Sequence, residues 1–82
     1  MADTESLIKE WETSPHKARK VAAGIARKIA KKNMQRYDEL PLNSTLSTEY
    51  EVSESTVRAA KGILREHDIL ILENRRYYVA LS

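Results

Sequence analysis

The chain contains no cysteine, so neither disulfides nor thiolate metal sites can brace it. Glycine and proline occur only twice each, and two glycines are too few for the Gly-rich phosphate cradle of nucleotide-binding enzymes. No stretch approaches the roughly 20 apolar residues that a membrane-spanning helix needs. The acidic start, Met1-Ala2-Asp3-Thr4-Glu5, runs into no apolar segment and lacks the form of a signal peptide. There is no G-x-S-x-G and no H-E-x-x-H. The only histidines, His16 and His67, have no ligand cluster at metal spacing around them. A chain of 82 residues supports one small core and no large substrate cavity. The absences together argue against an enzyme, a metal or a cofactor, and for a cytoplasmic protein that does not enter membranes.

What is present is unevenly charged. Residues 1–14 hold four acids (Asp3, Glu5, Glu10, Glu12) and one base, Lys9. Residues 15–36 hold eight bases (Lys17, Arg19, Lys20, Arg27, Lys28, Lys31, Lys32, Arg36) and no acid. Acids outnumber bases by eight to five in the remainder, which leaves a net charge of +2. A basic block of this kind suits a polyanion such as a phosphate backbone, and it equally suits a solvated helix face.

Apolar spacing predicts four helices and a hairpin. Leu7, Ile8 and Trp11 fall on one face of a short helix over residues 4–12. Ser14-Pro15 interrupts it, with Ser14 as the expected N-cap of a second helix over residues 15–32. Ala18, Val21, Ala22, Ile25, Ile29 and Ala30 line that helix, and Asn33 suits a left-handed C-terminal residue. Gly24 in mid-helix costs about 1 kcal/mol against alanine, which close packing against a neighbour would explain. Residues 33–43 read as a loop, and Asn43 or Ser44 as the cap of a short helix over residues 45–51. Val52 plugs the turn, and Ser53 caps a helix over residues 54–67 with Val57, Ala60 and Leu64 facing inward and Arg58, Lys61 and Arg65 facing elsewhere. Residues 69–72 and 77–81 read as strands joined by a tight turn at residues 73–76, since Asn74 tolerates positive φ. Tyr77 and Tyr78 must then face opposite sides of the strand.

The expected fold is mainly α with a small β-hairpin: a winged helix-turn-helix of three core helices plus a wing. Residues 1–14 form an N-terminal helical extension and residues 15–82 the domain. Two short helices joined by a tight turn place the second in a DNA major groove, with small residues at its start letting the backbone approach. Ser53, Ser55 and Thr56 supply hydroxyls, Arg58 a bidentate donor, and Lys61, Arg75 and Arg76 phosphate contacts, with Tyr77 beside them. The bland alternatives are that Arg58 is an ordinary surface arginine and that Arg75 and Arg76 only keep a sheet edge soluble.

Residues 21–79 resemble the N-terminal winged-helix domain of GntR-type bacterial transcription regulators. The resemblance rests on Asp38-Glu39-Leu40-Pro41, on Leu46, on Tyr50-Glu51-Val52-Ser53, on Thr56-Val57-Arg58-Ala59-Ala60 and Leu64, and on Tyr78-Val79. The family pattern runs D-x-L-P-S, then L-A, F-G-V-S-R, T-V-R-x-A and L, and ends in a G-x-G-x-x-V wing. The resemblance implies a double-stranded DNA partner and a role in transcription. Three departures stand out. Glu54 occupies the place of an arginine after V-S, Ser44 that of an arginine early in the first helix of the pair, and Asn74, Arg75 and Arg76 that of the wing glycines. A glutamate at the tip of a reading helix repels phosphates but can accept a hydrogen bond from cytosine N4.

The family's usual C-terminal effector domain has no counterpart here, so the expectation is a stand-alone module of a bacterium, phage or plasmid that responds to no small-molecule effector and works at the nucleoid. The face of Leu7, Ile8 and Trp11 is expected to pack onto the domain, with a homodimer contact as its second reading. Two further functions stay open: an architectural DNA-binding factor in recombination, partition or replication control, and a winged-helix protein-interaction module favoured by Glu49, Glu51 and Glu54.

Overall fold

The computed structural model describes residues 4–80. Four helices precede a hairpin: α1 (Thr4–Glu12), α2 (Lys17–Lys31), α3 (Asn43–Tyr50), α4 (Glu54–Glu66), β1 (Leu70–Glu73) and β2 (Arg76–Val79). The order is the expected one, and the differences lie at the ends of elements. Helix α2 begins two residues late because His16, not Ser14, is its N-cap, and no side chain caps it. Ser14 is instead buried, and its Oγ accepts from the His16 amide at 3.2 Å. Likewise neither Asn43 nor Ser44 caps α3. Leu42 does so through its extended backbone alone, and Asn43 is the first helical residue.

Helices α2, α3 and α4 enclose the core, and α1 lies along α2. Ile25, Leu46, Val57, Leu64, Ile69 and Val79 are fully buried. Ile8 and Trp11 are 3% and 4% exposed and belong to the same cluster, while Leu7 is partly buried against it. The Trp11 ring meets His67 edge-on at 5.2 Å. The N-terminal face is therefore spent inside the chain, and the homodimer reading of it loses its surface.

Gly24 explains itself, since a Cβ there would stand 2.7 Å from Cε1 of Tyr50. Gly62 does not: nothing lies within 4 Å of a Cβ built on it, and its φ is not positive. Gly62→Ala is therefore expected to stabilise the domain by about 0.5–1 kcal/mol through helix propensity alone, read as a rise in the urea midpoint at unchanged slope.

Left-handed residues close the turns. Asn33 ends α2 at φ 52°, Glu51 ends α3 at φ 56°, and Asp68 leads from α4 to β1 at φ 59°. At the wing tip Asn74 and Arg75 take φ 50° and 66°, the paired positive values of a two-residue turn whose twist matches its strands. Glu73 is thereby set opposite Arg76, and Leu70 opposite Val79. The second strand starts one residue earlier than its expected position, and Leu81 lies outside the described residues. The segment expected as plain loop pairs with the wing: Tyr37 and Leu40 donate to the Val79 and Tyr77 carbonyls, and Asp38 accepts from Val79. A bridge of Glu39 to Tyr78 completes a third, rudimentary strand.

Candidate nucleic-acid interface

Helix α4 is positioned from its start. Ser53 Oγ accepts from the Thr56 amide at 3.2 Å and shares a hydrogen bond with the Thr56 hydroxyl at 3.0 Å. These two hydroxyls are thus already engaged in holding the helix end. Glu54, Ser55 and Arg58 are exposed on the first turns of the helix. Arg58 forms no ion pair among the described residues. Val57, Ala60 and Leu64 fix the opposite face in the core. Ser44 is exposed at the start of α3, its carbonyl accepting from the hydroxyls of Ser47 and Thr48.

Lys61 departs from expectation. Rather than facing outward it is 4% exposed, with Nζ donating to the Pro41 carbonyl at 3.0 Å and standing 5.5 Å from the centre of the Tyr77 ring. Its four-carbon stem packs with the core while the ammonium tip finds a carbonyl and an aromatic face, as long basic side chains do when partly swallowed. Burial pulls its pKa below the usual lysine value, and the Glu39 carboxylate acts against that pull. Lys61 thereby links α4 to the strand before α3 and to the wing.

On the wing, Arg75 and Arg76 are exposed, and Tyr77 is half-buried beneath Lys61. Arg76 Nη1 pairs with Glu39 at 3.1 Å, so part of its charge is answered within the chain. Arg58, Lys61, Arg75, Arg76 and Tyr77 line one cleft with Glu39 to Asn43, of about 230 Å³. The sequence marks five of these residues for DNA and Asn43 only as a helix cap, yet Asn43 lines the same cleft and has a buried side-chain oxygen with no partner among the described residues.

The basic helix is partly neutralised. Arg27 bridges Glu5 and Glu12 of α1, and its hydrogen bond holds the Glu12 carboxyl below the usual range. Lys28 pairs with Glu49 of α3 and lies 5.7 Å from the Tyr50 ring centre. Lys17, Arg19, Lys20, Lys31 and Lys32 are exposed. Glu49 is thus tied to α2, and of the acids near the start of α4 only Glu51 and Glu54 are left without an ion pair among the described residues.

The geometry matches solved structures. The chain superposes on the possible transcriptional regulator YydK from Bacillus subtilis with a TM-score of 0.74 at 26% identity, over 78% of its own length. It superposes on YtrA from Sulfolobus acidocaldarius, a GntR-family transcription factor, with a TM-score of 0.67 at 26% identity over 85% of its length. The fold is the winged helix-turn-helix of GntR-type regulators. A third structure, GntR of Streptococcus agalactiae, matches at 22% identity and a TM-score of 0.71, a likeness of fold alone. The chain spans 28% of YydK, 31% of the streptococcal protein and 73% of YtrA. No protein-family profile and no curated sequence matches it.

Proposed function

We propose that this GntR-like domain binds double-stranded DNA and regulates transcription, with α4 in the major groove and the wing against the neighbouring backbone. The observation that carries the reading is the exposed Arg58, without an ion pair among the described residues, on a reading helix whose other face is locked in the core. Ser55 and Glu54 flank it on the surface. Arg75 and the basic residues of α2 supply charge for phosphates. With this reading go a bacterial, phage or plasmid source and action at the nucleoid. The likeness to GntR-type regulators supports the DNA partner. The pairing of Glu49 with Lys28 weakens the protein-interaction alternative, because it removes one of the three acids on which that alternative rested.

Selection of bound duplexes from a random pool is expected to return a consensus. Arg58→Ala is then expected to lower affinity for that site by about 5- to 150-fold, the equivalent of 1–3 kcal/mol, and to relax preference at one base pair. A pool that yields no consensus, or an Arg58→Ala protein that reads the same site with unchanged affinity, would overturn sequence-specific reading in favour of an architectural role.

A further inference from the structure

The cleft between the start of α3, the middle of α4 and the wing holds four bases, Arg58, Lys61, Arg75 and Arg76, and one acid, Glu39. Two separate elements, α4 and the wing, contribute the bases, so the cluster is a product of folding and not of a basic run in the sequence. One of the four, Lys61, is 4% exposed, and an ammonium has three donors, of which the Pro41 carbonyl takes one. A buried positive charge costs free energy unless something answers it. The single nearby carboxylate, Glu39, is shared with Arg76 at 3.1 Å.

Other features converge on the same place. Helix α3 starts without a side-chain cap, so the amides of its first turn have no partner within the helix. Asn43, in that turn, lines the cleft with its buried Oδ1 unpartnered among the described residues, and rotating the amide puts two N–H donors there instead. The volume of about 230 Å³ is below the roughly 300–1,000 Å³ of small-molecule pockets, and it suits one phosphodiester group rather than a cofactor.

The geometry points to a seat for a single phosphate in this cleft, gripped by Arg75, Arg76 and the first turn of α3, with Lys61 as the positive charge beneath it. The inference rests on the proposed DNA reading, in which the phosphate belongs to the duplex backbone. It gives Lys61 a positioning role: the Lys61–Pro41 hydrogen bond and the Tyr77 ring hold wing, α3 and α4 at the spacing one phosphate requires. The seat fixes the register of α4 along the groove, so bases are read from a set position.

Asn43→Asp tests the seat. An aspartate in the first turn of a helix is favourable for folding, yet it sets a carboxylate against the phosphate. The variant is expected to melt no lower than the wild type. Its duplex affinity is expected to fall at least about tenfold, with the slope of log affinity against log salt reduced by about one. In parallel, millimolar inorganic phosphate at low salt is expected to shift the amide resonances of residues 43–45 and the Nε resonances of Arg75 and Arg76. Those shifts should vanish in Asn43→Asp and weaken in Lys61→Met. Shifts confined to the lysines of α2, or an Asn43→Asp protein that binds duplex like the wild type, overturn the seat. If phosphate shifts the cleft but no duplex binds, the DNA reading fails and the seat stands; duplex binding without those shifts leaves the DNA reading and removes the seat.

Discussion

Trp11→Ala is expected to remove about 3–5 kcal/mol of folding stability, the usual cost of truncating a buried tryptophan. For a domain of this length the whole stability is on the order of 4–12 kcal/mol, so the variant would stand close to unfolding. The expectation follows from where Trp11 sits: 4% exposed, beside Ile8 at 3%, and edge-on to His67 at the end of α4. Read from sequence, α1 is an extension laid on a finished domain. In the fold it supplies two members of the common core. The Arg27 bridges to Glu5 and Glu12 are a different matter, since all three side chains are more than 40% exposed. Exposed pairs of this kind are screened by salt. Urea unfolding followed by circular dichroism separates the two contributions. High salt should leave the wild-type midpoint nearly unchanged, while Trp11→Ala should lower it severely at similar slope. A loss below about 1 kcal/mol, the range of an ordinary surface substitution, would mean that α1 docks without holding the domain together.

The helices were legible because each carries its own periodicity and stop signals. Val57, Ala60 and Leu64 recur at helical spacing, and all three are buried. Asn33 and Asn74 marked backbone that must turn left-handed, and both do so. Gly24 implied a close neighbour, and Tyr50 is that neighbour. What could not be read was set by contacts distant in sequence. The pairing of residues 37–40 with β2 has no local pattern, because a strand this short lacks room for alternation. The charge of Lys61 points to the surface, whereas the carbonyl and ring that receive it come from residues 20 and 16 positions away. Ser14 and Asn43 resembled caps by residue type, yet neither caps the helix it precedes or opens, because the backbone turns at His16 and Leu42 instead. The same limit applies to the interface. Sequence could name Arg58, Arg75 and Arg76, but only the fold brings them to one cleft with Asn43.

Glu54 is the residue at which this domain parts most sharply from the pattern it otherwise follows, and Glu54→Arg is expected to change DNA binding as much as Arg58→Ala does, in the opposite direction. Glu54 is the first residue of α4 and is exposed. At a helix N-terminus its charge favours the fold, so the arginine variant should lose up to about 1 kcal/mol of stability. Against DNA the balance is reversed. A carboxylate held at the leading end of a reading helix repels the phosphates on either side, and the only base edge it suits is the cytosine N4 donor. Arginine removes that repulsion, adds a phosphate or guanine donor, and changes the local charge by two. Affinity for random duplex at low salt should therefore rise by about 5- to 150-fold, the equivalent of 1–3 kcal/mol, with a steeper dependence on salt. At one position of the selected site the preference should pass from cytosine to guanine on the strand that α4 reads. Glu54→Gln separates the two causes, because it relieves the repulsion without supplying the guanine contact and should raise affinity without the change of base. If Glu54→Arg selects the same consensus with affinity within twofold of the wild type, the tip of α4 lies away from the groove and the major-groove placement of this helix is wrong.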